Sequence, residues 1–185
     1  EQAATLPCAG VTAWAALDRG APVAAGHSVL VMGSGGVSLF ALQIARARGS
    51  RVIATTSSEA KAARLLGMGA SDVINYRECP DWDRRVLELT DGGGGERGVE
   101  SGGAGSRPRS MAALAPDGEI ALVGLLDNPM SSISPLPLMR TTGTIRGISV
   151  GSRADLVRLV DCAAQNFAPV IDRVFPFAQA ADAYR

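Results

Sequence analysis

A glycine cluster between an apolar run and a helical pattern is the feature of this chain with the clearest chemical meaning. Val29–Met32 is apolar, and Gly33-Ser34-Gly35-Gly36-Val37 follows it directly. We expect Gly33 to occupy a turn with positive φ, and Gly35 to leave room where a pyrophosphate approaches the backbone. The helix that begins at Gly36 would direct its free N–H groups at that anion. Because strand, glycine loop and helix follow in the order that dinucleotide binding requires, we prefer this function to an ordinary turn.

One position departs from the usual G-x-G-x-x-G pattern. Ser38 stands where the third glycine would be, and that glycine normally permits close packing of the helix against the strand. Because serine is also small, we expect the close packing to be preserved.

The end of the second predicted strand bears on the choice of cofactor. Sites for NAD place an acid about 20 residues beyond the glycine loop, where it binds the ribose 2′-OH. Here that position reads Thr55-Thr56-Ser57-Ser58, and Lys61 lies one helical turn further on. Hydroxyls and an amine can bind a 2′-phosphate that an acid would repel, so the pattern favours NADP(H) over NAD(H). Glu59 argues the other way, because its carboxylate could accept a ribose hydroxyl, and Lys61 could simply be a solvated charge.

Strand and helix patterns alternate along most of the chain. Strands are predicted at Val29–Met32, Arg51–Thr55, Asp72–Tyr76, around Val99, and at Glu119–Val123, Thr144–Ser149 and Val170–Val174. Helices are predicted at Ala3–Leu17, Gly36–Arg48, Glu59–Leu66, Trp82–Leu89, Met111–Leu114 as the end of another, and Ala154–Ala164, with Ser58 as a cap. This alternation gives right-handed β-α-β units and therefore the α/β class with a doubly wound parallel sheet.

Composition argues against several other classes of protein. The 185 residues suffice for one domain, the formal net charge is zero and the basic residues are scattered, so we expect no nucleic-acid partner. No apolar run approaches the roughly 20 residues that span a bilayer, so we expect no membrane partner. The cysteines Cys8, Cys79 and Cys162 are widely spaced, which indicates reduced thiols and a cytoplasmic location.

Together these features resemble the nucleotide-binding half of the medium-chain dehydrogenase/reductase superfamily, and within it zinc-type alcohol dehydrogenase-like proteins and quinone oxidoreductases. Besides the glycine loop, the matching stretches are Ala3–Trp14, Leu66–Ala70 with Val73–Tyr76, Ala115–Gly118 and Val170–Phe177. The resemblance implies a Rossmann domain over residues 1–185, in which residues 1–20 form a linking helix from a GroES-like catalytic domain that this chain lacks. It also implies hydride transfer between a nicotinamide and an alcohol, a carbonyl or a quinone-like enone as small-molecule substrate.

The resemblance also assigns roles to individual residues. It implies that Gly33, Ser34, Gly35, Gly36 and Val37 hold the pyrophosphate, that Ser57, Ser58, Lys61 and Tyr76 hold the 2′-phosphate end, and that Val123, Gly124, Leu125 and residues 147–150 flank the nicotinamide. Thr12 matches a catalytic-site threonine near the nicotinamide. The alternative for Thr12 is a hydroxyl that only bonds back to a helix carbonyl.

Cys8 stands where zinc alcohol dehydrogenases carry a metal ligand. A catalytic zinc needs three protein ligands, but His27 lies in a predicted turn, and Cys79 and Cys162 are not spaced as partners of Cys8. We therefore expect Cys8 to be a small buried thiol, the usual fate of a free cysteine, and leave zinc as the alternative.

The chain departs from the family between Gly92 and Pro108. Gly98 replaces an apolar residue of the fourth strand, Glu96 and Arg97 precede it, and Pro108 is compatible with a helix only in its first turn. We therefore expect a weak edge of the sheet in this region.

The segment Ser131–Met139 is apolar, and its prolines exclude it from a central strand. Relatives that the chain resembles place their subunit contact between the fifth and sixth strands. We therefore expect a homodimer through Leu136 and Leu138. A loop covered by another domain is the alternative.

Two other functions compete with hydride transfer. One is a nucleotide-binding or redox-sensing module without catalysis, which the motifs alone do not distinguish from an enzyme. The other is a methyltransferase-like domain for S-adenosylmethionine, which an acid at the end of the second strand would favour and Thr55-Thr56 disfavours.

Overall fold

The sheet positions the glycine loop. The computed structural model describes residues 1–124, 132 and 134–184. Its strands are β1 (Ser28–Met32), β2 (Arg51–Thr56), β3 (Asp72–Asn75), β4 (Gly95–Glu100), β5 (Leu114–Leu122) and β6 (Thr144–Gly147). They are hydrogen-bonded in the order β3-β2-β1-β4-β5-β6, and every pair is parallel. This order confirms the predicted doubly wound sheet.

Helices connect and cover the strands. They are α1 (Gln2–Thr5), a π-helical turn (Leu6–Gly10), α2 (Val11–Asp18), α3 (Gly36–Ala47), α4 (Glu59–Gly67), α5 (Trp82–Leu89), α6 (Arg107–Ala112), α7 (Leu136–Thr141), α8 (Arg153–Asn166), a 3-10 turn (Phe177–Gln179) and α9 (Ala180–Ala183). None of the helices in the described ranges is both long and apolar enough to cross a membrane.

Alternate residues of the strands build two apolar layers. Val29, Val31 and Val52 belong to one cluster, which includes side chains of α2, α3 and α8. Leu30 and Ile53 belong to another, which includes side chains of α5. Because successive side chains of a strand point to opposite faces, this division places helices on both faces of the sheet. The strand order reverses between β1 and β4, and at such a switch point a crevice opens at the carboxyl ends of the strands.

The predicted weak edge around Val99 is wrong, because β4 is a central strand between β1 and β5. Its buried charges are satisfied by distant partners. The Arg97 guanidinium, 1 % exposed, donates to the carbonyl oxygens of Ala16, Arg19 and Ala21 and pairs with Glu119 at 3.0 Å. A strand that reads as weak in the sequence is therefore held by the carboxyl end of α2.

The prediction of a last strand at Val170–Val174 is also wrong. That segment carries no strand in the structure and runs beside helices: the Gln43 side chain donates to the carbonyl oxygen of Ala168 at 2.9 Å, and Arg64 approaches Asp172 to 3.9 Å. Without a neighbouring strand, its backbone has no ladder to join.

Several local features match their predictions and others shift by a few residues. Ser38 is buried, and its hydroxyl donates to the carbonyl oxygen of Met32 at 2.6 Å, so the close packing of α3 on β1 is preserved. Pro108 lies in the first turn of α6, which ends at Ala112 rather than at Leu114. Ser58 occupies the N-cap position of α4, but its side chain makes no capping hydrogen bond to a described residue.

The proline-containing segment before β6 forms α7. Pro135 is its N-cap and Pro137 lies in its first turn, where the missing N–H costs nothing. Leu136 is 49 % exposed, whereas Leu138 packs against the cluster of Met111, Leu114 and Ile120. The two leucines expected at a subunit contact therefore differ in exposure: Leu136 is largely exposed to solvent, and Leu138 is partly buried.

Candidate cofactor-binding site

The glycine loop has the geometry of an anion cradle. Gly33 has φ +78°, and its N–H donates to the carbonyl oxygen of Thr55 at 2.9 Å. Gly35 is the N-cap of α3, and a Cβ placed on it would meet no described atom within 4 Å. The N–H groups of the first turn of α3 have no intrahelical partners and carry the positive end of the helix dipole. The loop thus leaves open the space in which those N–H groups could bind a pyrophosphate.

A cavity of about 440 Å³ begins at this loop and brings together most of the predicted site residues. We call it the central groove. Its lining includes Gly33, Ser34, Gly35, Gly36, Val37, Ser57, Lys61, Tyr76, Val123 and Gly124, together with Met32, Ser38, Thr56 and Ser101. Ser58 is not part of this lining, and Leu125 lies outside the described residues.

A second cavity of about 760 Å³ adjoins the central groove, with which it shares Val37 and Val123. We call it the Thr12 cavity. It is lined by Cys8, Thr12, Leu122 and residues 147–150. The N-terminal helical segment, the glycine loop and the residues after β6 therefore meet at one place, although they are far apart in the sequence.

The π-helical turn exposes Cys8, so the expected buried thiol is wrong. Within this turn Leu6 and Gly10 are buried, while Cys8 is exposed. Turns of this kind occur frequently at functional sites. The Thr12 hydroxyl donates back to the carbonyl oxygen of Cys8 at 2.7 Å, as the structural alternative anticipated. Among the bonds that the described residues make, this is the one in which the Thr12 hydroxyl takes part.

No zinc site is formed by the described residues alone. Among residues 1–124, 132 and 134–184, no group of three His, Cys, Asp or Glu side chains could hold a metal ion. His27 lies in its predicted turn, where its Nδ1 atom accepts a hydrogen bond from the N–H of Ala24 at 3.3 Å. Within the described residues, Cys8 therefore has no co-ligands of the kind that a catalytic zinc requires.

The end of β2 and the start of α4 contribute polar side chains to the central groove. Lys61, Ser57 and Tyr76 line the central groove, but Glu59 does not. The Glu59 carboxylate instead accepts a hydrogen bond from the Asn75 amide at 3.0 Å. The Thr56 hydroxyl is buried and finds no hydrogen-bond partner in the described part of the chain. This end of the groove thus offers an ammonium group and hydroxyls, and none of the described carboxylates lines it.

The sequence did not reveal a third cavity, of about 430 Å³, which meets the central groove at Met32, Gly33, Tyr76 and Ser101. We call it the Trp82 cavity. Trp82, Arg109 and Thr55 line it, together with residues 101–103, 105 and 106. We call the segment 101–106 the β4 loop. The run of glycine and serine after Val99 was the available signal. The position of this run beside the central groove follows only from the place of β4 in the middle of the sheet.

Comparison with known proteins agrees with the fold. Residues 36–165 match the family model described as zinc-binding dehydrogenase. The chain belongs to the zinc-binding dehydrogenase family. It is 40 % identical over its whole length to a zinc-type alcohol dehydrogenase-like protein of Schizosaccharomyces pombe, of which it covers 55 %. It is 31 % identical over 94 % of its length to a quinone oxidoreductase of Pseudomonas aeruginosa, of which it covers 54 %. The chain thus spans about half the length of the curated relatives it matches.

Solved structures also resemble this chain closely. A crystal structure of an NAD-dependent alcohol dehydrogenase superposes with a TM-score of 0.89 at 33 % identity, covering 98 % of this chain and 53 % of the other. The mycobacterial protein Rv1454c, solved in complex with NADPH, superposes with a TM-score of 0.82 at 30 % identity, covering 99 % of this chain and 61 % of the other. Both phosphorylation states of the nicotinamide cofactor thus occur among its structural relatives.

Proposed function

We propose that this chain is the NADP(H)-binding part of an oxidoreductase that moves hydride between the nicotinamide and an alcohol, a carbonyl or a quinone-like enone. The observation that carries the proposal is the run of adjoining cavities from Lys61 and Tyr76, past the glycine loop, to Cys8 and Thr12. A dinucleotide has a phosphate-bearing ribose at one end, a pyrophosphate in the middle and a ring at the other. The groove offers matching chemistry in that order.

Each part of the groove has a defined task. The open backbone at Gly35 and the N–H groups at the start of α3 bind the pyrophosphate. Lys61 and the Ser57 hydroxyl bind the 2′-phosphate, because a charged donor and a hydroxyl satisfy phosphate oxygens. When bound, the cofactor supplies the hydride chemistry, and the protein orients its reactive ring and excludes competing reactions.

Thr12 acts at the reacting end of the groove. Its proton is directed to the carbonyl oxygen of Cys8, which leaves the Thr12 oxygen to accept a hydrogen bond from a ligand. Val123, Gly124 and residues 147–150 form the opposite wall. We place the nicotinamide between these walls, and with it the hydride transfer.

The domain organisation is part of the same proposal. Residues 1–185 form the nucleotide-binding domain, and residues 1–20 link it to a GroES-like substrate domain of the longer protein. That domain would supply most substrate contacts, together with any zinc ligands besides Cys8. Because the relatives that match are almost twice as long as this chain, we expect catalysis to need the full-length protein.

Cofactor titration tests the proposal directly. We expect NADPH to bind more tightly than NADH, and Lys61→Ala to narrow the difference by about 1.5–3 kcal/mol, the contribution of one charge-assisted hydrogen bond. Arg64→Ala is the matched control: it removes a positive charge from the same helix, but Arg64 does not line the groove. Nicotinamide fluorescence reports both affinities.

Two results would contradict parts of this proposal. Equal affinities of the unmodified protein for NADPH and NADH would overturn the choice of cofactor. If the full-length protein binds NADPH tightly but transfers no hydride to aldehydes, ketones or quinones, the function would instead be that of a nucleotide-binding or redox-sensing module.

A further inference from the structure

Glu100 is a buried acid that the proposed function does not use. It is the last residue of β4 and is 0 % exposed, yet its carboxylate is well supplied with donors. One oxygen, Oε1, accepts hydrogen bonds from the N–H of Gly102 and from the hydroxyl of Ser106, both at 2.8 Å. The other, Oε2, accepts from the hydroxyl of Ser110. Glu100 therefore connects the β4 loop to the strand before it and to α6.

The two oxygens hold different parts of the chain. Gly102 and Ser106 belong to the β4 loop, so Oε1 fixes the loop at both of its ends. Ser110 lies in α6, so Oε2 fixes only the helix. A Cβ on Gly102 would lie 2.4 Å from the Ser106 oxygen and 2.9 Å from Oε1, which shows how tightly the loop closes over the carboxylate.

The β4 loop in turn forms a wall of the ligand site. Ser101 donates to the carbonyl oxygen of Met32 at 2.6 Å, and its own carbonyl oxygen would lie 1.9 Å from a Cβ on Gly124. The loop lines the Trp82 cavity together with Tyr76. Because Tyr76 also lines the central groove beside Lys61, the Trp82 cavity adjoins the place where we locate the 2′-phosphate.

We propose that Glu100 is a positioning residue whose carboxylate fixes the β4 loop as the wall of the adenosine half of the cofactor site. The inference rests on the proposed binding of NADP(H). The chemical reason for an acid is that a carboxylate only accepts hydrogen bonds, and here three donors converge on it. An amide at the same place would keep one acceptor oxygen and turn an NH₂ group toward one of those donors.

A pair of serine variants separates the loop from the helix. Ser106→Ala and Ser110→Ala each remove one hydroxyl donor from Glu100. Only Ser106 belongs to the β4 loop, where its hydroxyl also contacts the backbone of Gly103. Calorimetric titration with adenosine 2′,5′-bisphosphate should show that Ser106→Ala lowers the affinity about fivefold or more, which is roughly the effect of one net hydrogen bond. Ser110→Ala should lower the affinity less than about twofold, because Ser110 does not belong to the loop. Titration with nicotinamide mononucleotide should give the parent affinity in both.

Variants of Glu100 itself extend the test. Glu100→Ala should weaken the binding of adenosine 2′,5′-bisphosphate by about tenfold or more, because the buried N–H and two hydroxyls lose their acceptor together. Glu100→Gln keeps one acceptor oxygen but turns an NH₂ group toward a donor, so it should recover only part of that loss. Leu17→Ala is the control for stability. Leu17 is buried at the carboxyl end of α2, so this variant should lower the melting temperature without changing the affinity for adenosine 2′,5′-bisphosphate.

The outcomes distinguish this inference from the function on which it rests. If the unmodified protein does not bind adenosine 2′,5′-bisphosphate, the proposed cofactor and the role of Glu100 both fail. If it binds, but Ser106→Ala and Ser110→Ala lose affinity equally, or Glu100→Ala binds like the parent, only the role of Glu100 is overturned. Should Glu100→Ala not fold, the serine pair still decides.

Discussion

Removing the carboxylate that faces Arg97 is the sharpest test of how this sheet is held together. Arg97 and Glu119 approach to 3.0 Å, and their side chains are only 2 % and 9 % exposed. Burial lowers the pKa of Arg97, and the nearby Glu119 carboxylate opposes that change. Glu119→Gln would leave the guanidinium buried without its counter-charge.

The expected loss can be estimated from the contacts that remain. Removing one partner of a buried ion pair costs about 3–5 kcal/mol. Arg97 would keep its carbonyl acceptors, including Arg19 at 3.1 Å and Ala21 at 2.6 Å, so we place the cost at the lower end, about 3 kcal/mol. Arg146, which also bonds Glu119, is 40 % exposed and can turn to water, so its loss adds little.

Urea denaturation followed by circular dichroism measures this loss. We expect the free energy of unfolding to fall by about 3 kcal/mol with an unchanged m-value, and the melting temperature to fall by about 6–12 °C. Glu88→Gln is the matched control, because Glu88 bonds Arg85 at 2.8 Å with both side chains at least half exposed. Its cost should stay below about 1 kcal/mol. Equal costs for Glu119→Gln and Glu88→Gln would refute the idea that Arg97 depends on its buried partner.

Three further predictions address the loop, the response to acid and the assembly. Gly35→Val should abolish NADPH binding and leave the circular dichroism spectrum unchanged, since the added side chain enters open space; unimpaired binding would assign the loop another role. Burial raises the pKa of Asp155, but hydrogen bonds from Ser152 and Arg158 outweigh burial and lower it below the ordinary value. The carboxylate of Asp155 therefore stabilises the fold at neutral pH and loses that effect as the pH falls through its lowered pKa. Asp155→Asn should cost about 1 kcal/mol at pH 7, and this cost should shrink as the pH falls below the ordinary range of carboxyl groups. A cost independent of pH would contradict this. Finally, Leu136→Asp with Met139→Asp, at 49 % and 72 % exposed positions, should convert a dimer of the full-length protein to a monomer in sedimentation, unless the parent already sediments as a monomer.

Some features of this protein follow from neighbouring residues alone. The strand at Val29–Met32, the positive φ at Gly33 and the helix at Gly36 are local, because side-chain periodicity and glycine's backbone freedom act over a few residues. The alternation of such units was enough to predict the parallel sheet, and the missing acid after β2 was enough to suggest the 2′-phosphate. These conclusions did not depend on the tertiary contacts between elements.

Other features exist only because distant residues meet. In the sequence, Arg97 is an unexpected charge within a strand. Its hydrogen-bond acceptors are distant, and one of them, the carbonyl oxygen of Ala16, lies 81 residues away in the sequence. Cys8 reads as a buried thiol until the π-helical turn directs it outward. The residues of the β4 loop acquire a role only when Glu100, Met32 and Gly124 surround them. A buried charge or an irregular loop is stabilised by partners that folding brings together, so sequence patterns set the elements of this protein and tertiary contacts decided its polar interior.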